Sequence, residues 1–109
     1  MLELYQTEWC AGSRRVREHL TELGLDYLVH QVPVEREDRI ALLMATGATT
    51  IPVLLLEDGR AVIGEEAIVV YLDARFDEPP EAGAHRAKAA KARRRHLEEE
   101  CECLQPATR

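Results

Sequence analysis

Cys10 is the residue whose type and position best suit nucleophilic chemistry. It follows Leu2–Gln6, an alternating segment that predicts a β-strand, and it precedes a helical pattern that begins at Ser13. The unpaired N–H groups and the dipole at a helix N-terminus favour an anion, so the pKa of a thiol placed there falls. Because a thiolate attacks disulfide sulfur atoms, the position of Cys10 predicts thiol–disulfide exchange. The alternative interpretation is a small apolar residue of the interior.

Three residues that follow Cys10 could tune its reactivity. Arg14 and Arg15 lie at the start of the predicted helix, where their positive charge would lower the pKa of the thiol further. Ser13 carries a hydroxyl that can donate a hydrogen bond to a thiolate, and the same residue can cap the helix. These two roles of Ser13 are compatible, but a hydroxyl cannot form a disulfide.

The composition restricts the class of protein. The chain has 109 residues, of which 46% are hydrophobic and 31% charged, the balance of one soluble globular domain. No apolar run approaches the ~20 residues that cross a bilayer, and the first residues lack the basic and apolar regions of a signal peptide. Three cysteines are an odd number and do not predict a disulfide framework. We therefore expect a cytoplasmic protein with no membrane partner.

Charge is distributed unevenly along the chain. Residues 1–80 carry fifteen acidic and seven basic side chains, a net charge of −8, whereas residues 81–109 carry five and seven, a net charge of +2. An acidic body repels phosphate backbones, so we expect no nucleic-acid partner. Six cations between residues 86 and 95 lack interleaved aromatic residues, which favours a solvated helix face over a nucleic-acid patch.

Hydrophobic periodicity predicts the strands and helices that position Cys10. Strands are predicted at 2–6, 25–32, 52–56 and 60–63, and helices at 13–23, 35–45 and 65–76. The continuous apolar run at 52–56 is typical of a strand buried on both faces, and Asp58-Gly59 predicts a hairpin after it. The order gives a parallel, right-handed βαβ unit followed by a hairpin and a helix. We therefore predict an α/β fold with a four-stranded mixed sheet and helices on both faces.

The segment after residue 80 has a different composition. It is rich in Ala, Arg and Glu, which form helix readily, so we predict a helix over 81–103 and two parts of the chain, 1–80 and 81–109. The segment has almost no large apolar residues to pack against a core. Its cations and the acidic body predict electrostatic docking, either on its own domain or in a dimer with a second copy.

Cys101, Cys103 and His96 are the residues of this segment that could bind a metal. Two thiolates and an imidazole suit zinc or another soft metal, and Cys101 could instead act as a resolving thiol. However, residues two apart on a helix point to different sides, and no fourth ligand is evident. We therefore expect no metal site and interpret both cysteines as inert.

Four segments of residues 1–76 resemble two related families, the glutaredoxins and the N-terminal domains of glutathione S-transferases. The segments are LELY at 2–5, WCAGS at 9–13, TIPVL at 50–54 and GEEAIVVYL at 64–72. Both families have the thioredoxin-like fold. The resemblance therefore implies a thioredoxin-like, glutaredoxin-type βαβ-ββα domain, to which the C-terminal helical segment is an extension.

The resemblance also implies residue roles. Ser13 occupies the position where dithiol glutaredoxins carry a second cysteine, so Cys10 and Ser13 are implied as the catalytic residues of a monothiol site. Pro52 aligns with a cis-proline that leaves the backbone of the preceding residue free to pair with a peptide-like ligand. The alternative is an ordinary trans-proline at the start of a strand. The implied glutathione-binding residues are Trp9, Thr50, Ile51, Pro52, Gly64, Glu65 and Glu66.

The sequence departs from the family pattern at the start of the last predicted helix. In glutathione transferases an acidic residue followed by Ser holds the γ-glutamyl end of glutathione, whereas this chain has Gly64 and Glu65 there. The Glu65 carboxylate could pair with the amine of the ligand but repels its α-carboxylate. The helix N-terminus still offers backbone donors for that carboxylate.

Two functions follow from the resemblance. The first is a glutathione-dependent thiol–disulfide oxidoreductase, in which Cys10 attacks the mixed disulfide of a glutathionylated protein and a second glutathione regenerates Cys10. Glutathione is then the co-substrate, and glutathionylated or disulfide-bearing proteins are the partners. The second is a non-catalytic domain of the glutathione-transferase type that binds a ligand or a partner.

Overall fold

Four strands and three α-helices form the first part of the chain. The computed structural model describes residues 1–96, and the chain divides into two compact units, Met1–Glu78 and Pro79–Arg109. The strands of the first unit are β1 (Leu2–Gln6), β2 (Tyr27–Gln31), β3 (Val53–Leu55) and β4 (Ala61–Ile63). Its helices are α1 (Ala11–Glu22), α2 (Ile40–Thr46) and α3 (Glu65–Arg75). The order of these elements is the one that periodicity predicts.

The strands form one mixed sheet in the order β2-β1-β3-β4. β1 is parallel to β2, with Tyr5 opposite His30, and antiparallel to β3, with Leu4 opposite Leu54. β4 is antiparallel to β3, with Val62 opposite Leu54. The two parallel strands are connected by α1, and the two antiparallel strands at the end of the sheet form the predicted hairpin. The predicted α/β class with a four-stranded mixed sheet is confirmed.

The sheet carries a hydrophobic layer on each face. On one face, six side chains from β1, β3, α1 and α3 are completely buried: Leu4, Leu54, Val16, Leu20, Ile68 and Leu72. On the other face, Tyr5 and Val53 pack with Leu42 of α2. Neighbouring strand residues such as Leu4 and Tyr5 serve different layers because their side chains alternate. Complete burial of one such aliphatic side chain contributes about 1.5–3 kcal/mol.

The segment between β2 and β3 departs from the predicted single helix at 35–45. A 3-10 turn, Arg36–Asp38, precedes α2, and Arg39 between them lies outside the helical region with ψ of 50°. The Arg39 guanidinium donates hydrogen bonds of 2.9–3.0 Å to three backbone carbonyls, those of Pro33, Val34 and Thr49. These contacts hold the chain in its interrupted conformation, so the helical pattern breaks at Arg39.

The second unit contains one described helix, α4 (Ala82–Arg95). Its fourteen residues include six Lys and Arg and no Asp or Glu. The remainder of the helix predicted over 81–103, with Cys101 and Cys103, lies outside the described residues. No helix within residues 1–96 is long and apolar enough to cross a membrane.

Candidate active site

Cys10 forms the N-terminal cap of α1. Its backbone is extended, with φ of −78° and ψ of 122°, and its carbonyl accepts a hydrogen bond from the Arg14 N–H at 3.0 Å. The Cys10 Sγ accepts a hydrogen bond from the Ser13 N–H at 3.4 Å. The sulfur therefore receives one of the backbone donors that a helix leaves unpaired. Cys10 is half-buried rather than enclosed, so a substrate can reach its sulfur.

The pKa of the Cys10 thiol is lowered from its ordinary value. Burial has the largest effect and raises the pKa, and the nearby carboxylate of Glu65 raises it too. Hydrogen bonds to the sulfur come from the Ser13 hydroxyl and from the backbone N–H groups of Ser13 and Gly12, and together they outweigh both opposing effects. The first turn of α1 therefore favours the ionised, reactive form of the thiol.

Ser13 is fully buried in the first turn of α1. Its Oγ accepts a hydrogen bond from the Thr7 N–H at 3.3 Å. This contact occupies one acceptor position of the hydroxyl, which can still donate its single proton. The structure thus brings together the two residues that the sequence marked as catalytic.

Arg14 and Arg15 are paired with carboxylates. Arg14 Nε lies 3.1 Å from the carboxylate of Glu18 on the same helix. Arg15 Nη1 lies 2.6 Å from the carboxylate of Glu65 and 2.7 Å from that of Glu66, at the start of α3. Against the effect of burial, hydrogen bonds are the largest influences that lower the pKa of Cys10. Both arginines line the cleft that contains Cys10, and their effect on the thiolate stays a prediction.

Three separate segments meet beside the first turn of α1. The Ile51–Pro52 peptide bond is cis, and the Pro52 carbonyl accepts a hydrogen bond from the Gly64 N–H at 2.9 Å. Gly64, with φ of 97°, caps the start of α3. A Cβ at Gly12 would lie 3.4 Å from Pro52 Cδ and 3.0 Å from Glu65 Oε1, so α1 approaches both segments closely. The fold therefore gathers the segments at 9–13, 50–54 and 64–72 around the thiol.

The other residues implied in glutathione binding differ in exposure. Trp9 is 64% exposed and borders an open cleft of about 360 Å³ that includes Cys10. Thr50 and Glu66 are exposed, and Ile51 is half-buried. No hydrogen bond among residues 1–96 engages the backbone N–H or C=O of Ile51. The peptide groups of Ile51 are therefore open to a ligand.

Sequence reasoning missed Thr7, Arg17 and Gln6. Thr7 is almost fully buried and holds Ser13 through its N–H, while Arg17 Nη1 donates to the Thr7 carbonyl and to the Gln6 side chain. Two signals in the sequence could have identified two of these residues. Arg17 lies four residues after Ser13 and so shares its helix face, and Gln6 is a polar residue at the end of an apolar strand.

The possible metal ligands of the C-terminal segment are His96, Cys101 and Cys103. His96 follows the last residue of α4, and the two cysteines lie outside the described residues. No group of three or more His, Cys, Asp or Glu side chains within residues 1–96 is arranged to bind a metal ion.

A known protein family matches most of the chain. The family is described as glutathione S-transferase, N-terminal domain, and it matches residues 4–80. The chain belongs to the glutathione S-transferase N-terminal domain family. The thioredoxin-like resemblance drawn from four short segments is thereby confirmed, and the matched residues include every candidate site residue from Trp9 to Glu66.

Solved structures of glutathione S-transferases are similar to this N-terminal domain. The enzyme from Rhodospirillum rubrum is 29% identical with a TM-score of 0.62, over 92% of this chain and 46% of that one. A glutathione S-transferase domain-containing protein from Marinobacter aquaeolei is 30% identical with a TM-score of 0.59, over 85% of this chain and 49% of that one. A glutathione S-transferase from Methylobacillus flagellatus, solved with glutathione bound, is 27% identical with a TM-score of 0.60, over 89% of this chain and 48% of that one. The chain thus spans about half the length of these structures. None of the curated proteins compared with it matches significantly.

Proposed function

We propose that this domain is a glutathione-dependent thiol–disulfide oxidoreductase with Cys10 as its nucleophile. The Cys10 thiolate attacks the glutathionyl sulfur of a protein–glutathione mixed disulfide, so that a Cys10–glutathione disulfide forms and the protein thiolate leaves and takes up a proton. A second glutathione thiolate then attacks the glutathionyl sulfur held by Cys10. Oxidised glutathione leaves and the Cys10 thiolate is restored. The substrate disulfide is reduced, and glutathione supplies the electrons.

The cap position of Cys10 is the observation that carries this proposal. Its sulfur accepts the Ser13 N–H at 3.4 Å, and its pKa is lowered because hydrogen bonds outweigh burial. A thiolate at neutral pH is the species that attacks a disulfide. The residue three positions later is Ser13 rather than a cysteine, so the route requires one thiol of the domain and a second glutathione.

Groups around Cys10 can bind an extended tripeptide such as glutathione. The open backbone N–H and C=O of Ile51 can pair with the peptide as the edge of a sheet does. The unpaired N–H groups in the first turn of α3, at Glu65 and Glu66, can bind a carboxylate. Trp9 borders the cleft and can cover the ligand. The bound glutathione of the Methylobacillus flagellatus structure supports this choice of ligand.

Removal of glutathione from a glutathionylated peptide, with reduced glutathione as the reductant, tests the proposal. The full chain should catalyse the reaction and Cys10→Ser should abolish it. The matched control is Cys101→Ser combined with Cys103→Ser, which should retain most of the activity. Activity that survives Cys10→Ser, or that disappears in the control, contradicts a monothiol route through Cys10.

A non-catalytic domain that binds glutathione or a partner is the second candidate. Burial raises the pKa of Cys10, and the Glu65 carboxylate raises it further. The same carboxylate repels the α-carboxylate of glutathione. Glu65 therefore favours this second candidate. Calorimetric binding of glutathione without turnover in the exchange assay would support this candidate. Turnover that depends on Cys10 would reject it.

The proposed reaction determines the expected surroundings of the protein. A cycle that consumes reduced glutathione requires a reducing compartment, so we propose a cytoplasmic location, with glutathionylated or disulfide-bearing proteins as substrates. The cations of α4 and the net charge of −8 on residues 1–80 further suggest a salt-sensitive dimer through the C-terminal helix. Light scattering at low and high salt tests the dimer, and a monomeric mass at low salt contradicts it.

A further inference from the structure

Arg17 contacts three consecutive residues, at the end of β1 and in the loop that leads to Cys10. Its Nη1 atom donates to Gln6 Oε1 and to the Thr7 carbonyl at 3.3 Å, and it lies 3.0 Å from the Glu8 carboxylate. The Arg17 side chain is 22% exposed, so its guanidinium is partly withdrawn from water. A single nitrogen atom therefore ties the end of β1 and the following loop to α1.

The hydrogen bonds continue from this loop to the sulfur. The Thr7 N–H donates to Ser13 Oγ at 3.3 Å, and the Ser13 N–H donates to Cys10 Sγ at 3.4 Å. Gln6, the other residue that accepts a hydrogen bond from Arg17, is also fixed in place. It is fully buried, and its Nε2 donates to the Gln31 side chain of β2 at 3.3 Å. The peptide groups of Thr7 thus link Arg17 on one side to Ser13 on the other.

We propose that Arg17 is a positioning residue for the Cys10 nucleophile. By holding the Thr7 carbonyl, Arg17 fixes the Thr7 N–H that bonds to the Ser13 hydroxyl, and so it holds the residue whose N–H donates to the Cys10 sulfur. Loss of the guanidinium removes the donor from the Thr7 carbonyl and from the buried Gln6 side chain, so the loop must turn to find other donors. Ser13 is then no longer held in the orientation that stabilises the thiolate.

The charged groups around Cys10 determine which control variant the test needs. Glu65 acts on the sulfur from α3, and the cleft around the thiol is lined by four charged side chains, Glu8, Arg14, Arg15 and Glu18. Arg14 is useful for comparison because it lies on α1, as Arg17 does, but bonds to Glu18 instead of the loop. Removal of either arginine deletes one positive charge, whereas only the removal of Arg17 releases Thr7.

The pH dependence of Cys10 alkylation by iodoacetamide tests this inference in the full chain, read on the Cys10 peptide by mass spectrometry. The inference rests on the proposed function, but the measurement requires no glutathione, so the two can fail separately. Arg17→Met should raise the pKa of Cys10 and slow its alkylation at pH 6 by about three- to tenfold, because less thiolate is present. Arg14→Met should shift the pKa less.

Two further variants make the result decisive. Arg17→Lys should recover most of the lowered pKa, because one nitrogen of Arg17 makes two hydrogen bonds and one ion pair, and a lysine ammonium carries three N–H donors and the same positive charge. If Arg17→Met does not fold, as judged by circular dichroism, the shorter and uncharged Arg17→Gln replaces it with the same expected shift. A folded Met or Gln variant with the wild-type pKa, or with a shift no larger than that of Arg14→Met, overturns the inference.

Discussion

Arg15 Nη1 lies 2.6 Å from the carboxylate of Glu65, fifty positions later in the chain, and this ion pair joins α1 to α3 beside the candidate nucleophile. The other oxygen of that carboxylate, Oε1, approaches Gly12, where an added Cβ would meet it at 3.0 Å. Glu65 therefore links the two helices and also places a negative charge near Cys10. These two effects oppose each other in function, because the charge that holds Arg15 disfavours a thiolate.

Replacing Glu65 by Gln should lower the pKa of Cys10 further. Burial is the larger influence that raises this pKa, and the Glu65 carboxylate adds to it, so removing the charge leaves the stabilising hydrogen bonds less opposed. The midpoint of the alkylation rate then moves to lower pH, with more thiolate at neutral pH. Glu57→Gln is the control, because Glu57 pairs with the N-terminal amine instead. A midpoint that does not move in Glu65→Gln would exclude this electrostatic role.

Replacing Ser13 by Ala should raise the pKa of Cys10 and destabilise the domain together. The buried Thr7 N–H loses its acceptor, which costs about 1–3 kcal/mol, and the thiolate loses a hydroxyl donor. Urea unfolding and the alkylation profile measure the two effects. Thr21→Ala removes an exposed hydroxyl that bonds to the backbone of the same helix and should change both far less. Equal effects of the two substitutions would refute the special position of Ser13.

Replacing Thr7 by Val should leave the free energy of unfolding unchanged or raise it. The Thr7 hydroxyl is buried, and it has no hydrogen-bond partner within residues 1–96. Valine has nearly the same shape, so it removes a desolvated polar group and preserves packing, for a gain of about 0–1 kcal/mol. A measured loss above about 1 kcal/mol in urea unfolding would show that the hydroxyl has a partner, such as a water molecule.

Replacing Gly12 by Ala should reduce exchange activity with little loss of stability. The new Cβ would displace the flexible end of Glu65 and press on Pro52 at 3.4 Å, which disturbs the meeting point of the three segments. Alanine is favoured in a helix by about 1 kcal/mol, which offsets the crowding. Gly83→Ala in α4 is the control, because its Cβ would meet no atom closer than 4.0 Å. Full activity of Gly12→Ala in the deglutathionylation assay would contradict the close approach.

Truncation after Pro80 should leave a folded domain that retains exchange activity. Both hydrophobic layers are built from side chains between Leu2 and Phe76, so the sheet and its three helices keep their packing. Circular dichroism, thermal unfolding and the deglutathionylation assay measure the outcome. An unfolded product would place the domain boundary elsewhere and would make the C-terminal segment part of the core.

The location of the nucleophile could be predicted from the sequence, because it depends on local patterns. An alternating strand, a helix start and the short segments around Cys10, Pro52 and Gly64 involve residues close together in the chain. The fold class followed from the order of these elements. The break at Arg39 was not predictable, since its cause is a guanidinium that reaches carbonyls on both sides of it.

The electrostatic arrangement of the site could not be predicted from the sequence either. The position of Arg15 in the sequence predicts that its charge lies near the thiolate. In the structure, the packing of the helices pairs Arg15 with Glu65 and Glu66, which are distant in the chain. Arg17 and Thr7 act through backbone groups that no motif marks. Contacts of this kind depend on how α1 meets α3 and β1, which periodicity does not specify.

The two hydrophobic layers of the sheet differ in strength, and this difference implies a native state that opens in stages. α1 and α3 each contribute two completely buried aliphatic side chains to one layer, whereas the buried contribution of α2 to the other is Leu42. α2 should therefore detach most readily, and the chain that leads from it to Ile51 should loosen with it. A ligand held by the Ile51 backbone would oppose that opening. Occupancy of the site would then be visible as slower amide hydrogen exchange in α2, a helix that supplies none of the candidate site residues.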